Sequence, residues 1–294
     1  GNWGIKDNPA GQAYYDSMMR LYANWGVDYL KVDCISDHPY RPKEIRQISD
    51  AIRKTGRPMV LSLSPGPTDF SHAAEIAQYA QMWRISNDHW DQWEFANHTN
   101  DGFPSGVRQA FDLLAEWFSY TSAGNWPDAD MLPEGWLGPH PGWGEPRQSR
   151  LTQDEQRTEF TLWAIARSPL IFGGNLTRLD AFTRSLLTNQ TLLFVNQNSG
   201  YSHPVDVSAL GPGFENIRVW RATVGETGDR GYAEYVAFFN LGSSPAAVHV
   251  AWKDLGLDDR KFVAQNAFDD SATKDSKDID VALPPHGSTL FQLR

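Results

Sequence analysis

The sequence predicts an α/β fold: a TIM-type (β/α)8 barrel, of which this chain holds the C-terminal five strands, followed by a C-terminal antiparallel β-sandwich. Up to residue 197, helical and strand patterns alternate in units of roughly 25–30 residues, which indicates parallel strands joined by right-handed crossovers. Beyond that point, short alternating runs are separated by Gly, Asp and Pro turns, as in a sandwich. We therefore expect a partial barrel over 1–197 and a β-sandwich over 198–294, with a doubly wound α/β sheet as the alternative for the first part.

The first helix–strand units carry the clearest patterns. A helix is predicted over 9–24, because Pro9 suits a first turn and apolar residues recur at helical spacing; Gly26 ends it and a strand follows over 27–34. The same unit repeats as an amphipathic helix over 42–54 and a strand over 59–64. The further elements predicted in this part are helices over 71–80, 107–120 and 152–167, and strands over 82–86, near 127 and over 169–174.

Short alternating strands are predicted in the C-terminal part, where turn residues punctuate the pattern at close intervals. Such runs bury one face of each strand, and two such sheets packed together form a sandwich core. The predicted strands lie at 205–207, 217–222, 232–240, 246–252, 262–266, 281–283 and 288–293.

The count of barrel strands predicts a partner. Strands fall near residues 30, 60, 83, 127 and 171, whereas a closed barrel of this type has eight. An open sheet edge would leave backbone groups and apolar surface uncovered. Unless the sheet is not a barrel, we expect an upstream polypeptide to supply the first three strands.

Composition excludes several kinds of partner and site. The formal net charge is −10 and no Lys/Arg run is present, so neither nucleic acid nor an anionic membrane is expected as a partner. No apolar run reaches the length of about 18 residues that a transmembrane helix needs. Glycine motifs that bind nucleotides and the G-x-S-x-G motif of α/β-hydrolases are absent. Twelve tryptophans are many for this length, and such rings suit sugar-binding clefts.

Acidic residues follow the predicted strands at the end where a barrel keeps its active site. Lys31 and Asp33 share one face of their strand, and Asp88 follows Arg84 by four residues near the end of another. Two carboxylates from different strand ends suit glycoside hydrolysis, which a retaining enzyme performs with the pair about 5–5.5 Å apart. The alternatives are structural: Lys31 and Asp33 could be a buried ion pair that holds a loop, and Asp88 could cap a helix over 90–93.

A third strand end carries Asp128 and Asp130. These residues could instead form a turn or cap around Pro127. Together with His140 they lack the ligand spacing of a zinc or calcium site, so no metal is expected.

Five segments carry motifs in a recognisable order along nearly the whole chain: 29–34 (YLKVDC), 83–88 (WRISND), 126–132 (WPDADML), 162–170 (LWAIARSPL) and 195–197 (VNQ). In sequence and order they resemble the α-galactosidase family, glycoside hydrolase family 27. This resemblance implies a retaining enzyme with a β/α barrel followed by a β-sandwich, no cofactor, and a secreted or periplasmic location. It also implies that the family's first three barrel strands have no counterpart in this chain.

Residue roles follow from the resemblance, position by position. Asp33 corresponds to the nucleophile and Asp88 to the acid/base. The remaining matches are sugar contacts: Lys31 and Arg84 hold hydroxyls, while Asp130 and Met131 form further wall of the pocket.

Substrate specificity is expected to depend on segment 63–67 (LSPGP), which replaces a glutamate-bearing stretch of α-galactosidases. Its small Ser64 resembles the α-N-acetylgalactosaminidase version, in which the space admits an acetamido group. We expect a retaining exo-α-glycosidase that releases terminal α-galactose-like sugars from an oligosaccharide or glycoside. The alternatives are α-N-acetylgalactosaminidase, β-L-arabinopyranosidase or isomalto-dextranase activity, or an inactive sugar-binding remnant.

Overall fold

The computed structural model describes residues 4–96, 103–225 and 232–294. The contacts between residues divide the chain into two compact units. The first unit consists of Gly1–Asp88 and Tyr120–Asp128, and the second of His89–Ser119 and Ala129–Arg294. The predicted domain boundary at residue 197 stays a prediction.

The first unit is built on one parallel sheet. The four strands lie in the sheet in the order in which they follow along the chain, each hydrogen-bonded to the next. Doubly wound sheets reverse their strand order at a switch point, so the sequential order favours the barrel over that alternative. The elements are α1 (Pro9–Asn24), β1 (Tyr29–Val32), α2 (Pro42–Thr55), β2 (Val60–Leu63), α3 (Ala73–Tyr79), β3 (Met82–Arg84) and β4 (Trp126–Asp128).

Helices α1 and α2 begin and end close to where the sequence predicts, whereas α3, predicted over 71–80, begins only at Ala73. The Asn8 side chain accepts a hydrogen bond from the Gly11 amide at the start of α1, directly before Pro9. Gly56 closes α2 at φ +73°, a conformation that costs glycine little. Between these ends, Ile45, Ile48 and Ile52 form the buried face of α2.

In the second unit, helix α5 (Gln153–Ala166) is buried along most of its length. Its first turn has the predicted capping box, in which Thr152 and Glu155 exchange hydrogen bonds between side chain and backbone. Three more helices and a short hairpin belong to this unit: α4 (Val107–Trp117), β5 (Trp136–Leu137), β6 (Arg147–Gln148), α6 (Ala181–Leu187) and α7 (Gln190–Asn198).

The strand predicted over 169–174 is wrong as a regular strand. Only Phe172 takes part in pairing, as an isolated parallel bridge to Leu132. Pro169 has no amide hydrogen to donate, and the Ile171 amide turns back to the Pro169 carbonyl at 3.2 Å. Pairing of the segment is therefore confined to its middle.

The C-terminal strands form two antiparallel sheets, one of five strands in the order β11-β13-β9-β8-β7 and one pairing β10 with β12. A single apolar cluster, which includes Val219, Phe238, Trp252 and Ile279, contains side chains from both sheets. The predicted strand at 205–207 is misplaced, because Ser199–Val205 pairs with the next strand and ends there. The strands are β7 (Ser199–Val205), β8 (Ile217–Val224), β9 (Ala233–Asn240), β10 (Ala246–Ala251), β11 (Ala264–Asn266), β12 (Asp278–Leu283) and β13 (Ser288–Leu293).

Within the three described ranges, no helix has both the length and the apolar character that crossing a membrane requires.

Candidate active site

The carboxyl ends of three neighbouring strands in the first unit carry the predicted polar residues. Asp33 directly follows β1, Ser64 directly follows β2, and Arg84 is the last residue of β3. Register fixes the first two side by side, since Val32 lies opposite Leu63 and the Ser64 amide donates to the Val32 carbonyl at 2.9 Å. Parallel strands in register thus bring residues from different units of the sequence to one edge.

Asp33 is held by Ser64. The Ser64 hydroxyl lies 2.8 Å from Asp33 Oδ1, in hydrogen-bond geometry, and the serine is buried whereas the aspartate is exposed. This hydrogen bond involves Asp33 Oδ1, so the other carboxylate oxygen, Oδ2, takes no part in it. Ser64 therefore orients the carboxylate that is predicted to act as nucleophile. The sequence predicted Ser64 as a substrate contact and did not predict its bond to Asp33.

Lys31 does not pair with Asp33. Both side chains are exposed, and within the described ranges no hydrogen bond or ion pair joins Lys31 to another residue. The alternative of a buried ion pair is therefore wrong for these two residues. Lys31 and Asp33 both line a cavity of about 400 Å³ beside α1. Leu30 and Val32 line it too, so the common face stays a prediction.

Arg84 and Asp88 form the second contact of the site. Arg84 Nη2 lies 3.4 Å from Asp88 Oδ1 and 3.0 Å from the Ser86 carbonyl oxygen, and the guanidinium is buried while the Asp88 side chain is half exposed. Residues 89–96 contain no helix, so the alternative of Asp88 as a helix cap is wrong. Instead, a buried cation contacts an accessible carboxylate, and the acid/base role of Asp88 stays a prediction.

The loop after β2 packs directly on the end of β3. The Thr68 amide donates to the Arg84 carbonyl at 3.0 Å, and a Cβ atom on Gly66 would lie 2.4 Å from the Ser86 carbonyl oxygen. Only glycine permits this approach, which explains the glycine in 63–67. Ser64 and Arg84 therefore belong to one packed edge.

Asp130 and Met131 belong to the second unit. Asp130 has φ +86°, and its carboxylate accepts hydrogen bonds from the amides of Met131 at 2.8 Å and His89 at 2.9 Å. Trp163 Nε1 donates to the Asp130 carbonyl at 2.9 Å. These bonds hold a strained backbone conformation and the carboxylate in place. The turn predicted around Pro127 as an alternative is wrong, because Pro127 lies within β4.

A buried acid pair was missed by sequence reasoning. Glu134 and Glu159 are fully buried, burial raises the pKa of both, and the negative charge of Glu159 raises the pKa of Glu134 further. Glu159 also contacts His89 Nε2, which connects the pair to the residue whose amide holds Asp130. The only available signal was a glutamate inside the apolar stretch of α5.

No group of three or more side chains suited to bind a metal occurs among the described residues.

Known proteins resemble this chain in both its N-terminal and its C-terminal part. The family model for alpha galactosidase A matches residues 1–198, and the model for the alpha galactosidase C-terminal beta sandwich domain matches 215–293. Alpha-galactosidase 2 of Arabidopsis thaliana is 26% identical over 97% of this chain and 64% of its own length. The alpha-galactosidase of Coffea arabica is 30% identical over 98% of this chain and 68% of its own length.

Among solved structures, a GH27 β-L-arabinopyranosidase from Geobacillus stearothermophilus is 39% identical, with a TM-score of 0.84 over 97% of this chain and 62% of that one. This likeness and the sandwich match confirm the predicted α/β barrel with a C-terminal β-sandwich. The chain spans about two thirds of the length of these three proteins, 64%, 68% and 62%.

Proposed function

This chain belongs to the α-galactosidase family of glycoside hydrolases, and from that premise we propose that it acts as a retaining exo-glycosidase on terminal α-galactose-like sugars. The observation that carries the proposal is the pair of oriented carboxylates: Asp33 beside Ser64 and Asp88 beside Arg84, all from strand ends of one unit. The reaction needs one carboxylate that attacks and one that transfers protons.

The residues divide the reaction between them. Asp33 attacks the anomeric carbon with the oxygen that Ser64 does not engage, and Asp88 protonates the departing glycosidic oxygen. In the second step Asp88 removes a proton from water, which attacks the glycosyl-enzyme and restores Asp33. Two displacements at the same carbon leave the sugar with its original configuration. Lys31, Asp130 and Met131 are proposed as sugar contacts.

A second candidate substrate is a β-L-arabinopyranoside. The solved structure that is 39% identical is described as an arabinopyranosidase, and β-L-arabinopyranose has the ring hydroxyls of α-galactose without the hydroxymethyl group. The two activities would therefore use the same carboxylates and differ in the wall that faces carbon 5. Because Ser64 stands where α-galactosidases have a glutamate, an α-N-acetylgalactosaminide is a further substrate to be tested.

A panel of nitrophenyl glycosides tests the proposal: α-galactoside, β-L-arabinopyranoside, α-N-acetylgalactosaminide and α-glucoside. We expect hydrolysis of the first or the second, with a preference in kcat/KM of roughly 10–200-fold, since one small apolar or hydroxymethyl group decides between them. Product analysis by proton NMR should show retained configuration at first appearance. Failure to hydrolyse any of the four would favour the sugar-binding remnant instead.

We also propose that a further polypeptide, in the same chain or another, covers the free edge of β1 with the three predicted strands. Among the described residues, β1 has one hydrogen-bonded neighbour in its sheet, and Tyr29 is 43% exposed. On the adjoining helix, Tyr14 is 51% and Leu21 is 45% exposed, and the 400 Å³ cavity lies between α1 and β1. Unpaired backbone groups beside exposed apolar side chains suit the addition of a parallel strand.

Native mass spectrometry of the protein as isolated from its source tests this partner. The particle is expected to exceed the 33.1 kDa of this chain by the mass of the covering polypeptide. Hydrogen exchange should show protected amides in β1, because an added strand would engage its free edge. A lone 33.1 kDa species with rapidly exchanging β1 amides would contradict the proposal.

A further inference from the structure

A second cavity lies within the second unit, and all its lining residues follow residue 189 in the sequence, well after Asp33 and Asp88. It has a volume of about 550 Å³ and is lined by the start of α7 and by the neighbouring strands β9, β11 and β13. Small-ligand sites commonly have volumes of roughly 300–1,000 Å³. The described residues of the predicted active site contribute nothing to it.

Strand register builds the floor of this cavity. Gln265 on β11 lies opposite Gln292 on β13, which in turn lies opposite Tyr235 on β9. The row crosses three neighbouring strands on the sheet face opposite the apolar core, since the adjacent residues Ala264 and Leu293 point into that core. The two partly exposed amides thus lie together on one surface, and Tyr235, which is 3% exposed, lies beneath them in the same row.

The cavity's rim adds an exposed ring and two opposite charges. Tyr232 is 58% exposed, and its hydroxyl hydrogen-bonds to Glu234. Arg294 donates to the Gln292 side-chain oxygen at 3.1 Å. Within the described ranges the Gln265 and Asp270 side chains take part in no hydrogen bond or ion pair, although both line the cavity.

We infer that this cavity binds a neutral saccharide. Sugars present apolar C–H faces that pack on aromatic rings, here Tyr232 and Phe194. Their hydroxyls both donate and accept, as do the amides of Gln265 and Gln292, and the carboxylate and guanidinium strengthen such bonds. A purely apolar ligand would leave the amides unsatisfied, and an anionic one would meet Asp270 as well as Arg294.

The site would serve a different purpose from the carboxylate pair. An exo-acting enzyme engages one chain end at a time, so a separate contact on the polymer would keep successive ends nearby. The inference goes beyond the proposed hydrolysis, because saccharide binding at this cavity needs neither Asp33 nor Asp88.

Affinity electrophoresis tests the site with galactomannan, arabinogalactan and dextran dissolved in native gels. The full chain carrying Asp33→Asn is used, so that the polymers stay intact. We expect slower migration in at least one of these gels. Adding Tyr232→Ala or Gln265→Ala should weaken retention at least about tenfold, since aromatic and central polar contacts dominate such interfaces.

Matched variants separate binding from folding. Tyr232→Phe keeps the ring, and Gln197→Ala removes an exposed amide of α7 outside the cavity, so both should migrate as the parent does. Tyr232→Ala in the otherwise unchanged chain should leave nitrophenyl glycoside hydrolysis unaffected. No retention in any gel, or equal retention in the two alanine variants and their parent, would overturn the inference. Retention without glycoside hydrolysis would sustain it while refuting the proposed function.

Discussion

Replacing Asp33 by asparagine is expected to reduce turnover of every hydrolysed glycoside by at least about 10⁴-fold, because the reaction loses its attacking group. An amide oxygen is a poor nucleophile and cannot form the ester bond of a glycosyl-enzyme. The measurement is kcat on the preferred nitrophenyl glycoside, with mass spectrometry of the protein to look for the covalent adduct. Neither turnover nor adduct should be detected in the variant.

The fold should survive this change. Asp33 is exposed, and an asparagine oxygen can still accept the hydrogen bond from the Ser64 hydroxyl. Asp69→Asn is the matched control: this carboxylate is exposed and accepts from the Ser71 amide, which an asparagine oxygen also does. The control should keep wild-type turnover, and both variants should melt within a few degrees of the parent. Near wild-type hydrolysis by Asp33→Asn would remove Asp33 from the proposed role.

Local patterns predicted much of the first unit correctly. Pro9 and Gly26 marked the ends of a helix and the isoleucines of α2 marked a buried face, because these signals act over a few residues. The strand predicted over 169–174 failed for the opposite reason. Its apolar residues suit a strand, but pairing depends on a partner segment, and only Phe172 finds one.

The contacts of the site depended on distant residues and could not be predicted. Ser64 and Asp33 are 31 positions apart, and only the register of β1 against β2 brings them to 2.8 Å. His89 and Glu159 are 70 positions apart and meet in a buried place that composition does not reveal. Strand ends thus indicated candidate residues for the chemistry, whereas the hydrogen-bond partners of those residues needed the folded chain.

Replacing Asp88 by asparagine is expected to lower kcat/KM to an extent that depends on the leaving group of the substrate. Natural glycosides and alkyl glycosides should lose about 10²–10⁴-fold in kcat/KM, because their oxygen must be protonated as it departs. A dinitrophenyl glycoside leaves as a stable anion, so formation of the glycosyl-enzyme should slow far less. Its hydrolysis should then stall at the second step, since water has lost the base that activates it.

Azide provides the decisive measurement on the Asp88→Asn variant. As an anion it needs no general base, so it should raise turnover of the dinitrophenyl glycoside and yield a glycosyl azide of retained configuration. The variant should fold, since Asp88 is half exposed and its 3.4 Å contact with Arg84 contributes less than about 1 kcal/mol. Arg84 also keeps its bond to the Ser86 carbonyl. Equal losses on all leaving groups, without rescue by azide, would show that Asp88 positions the substrate rather than transfers its proton.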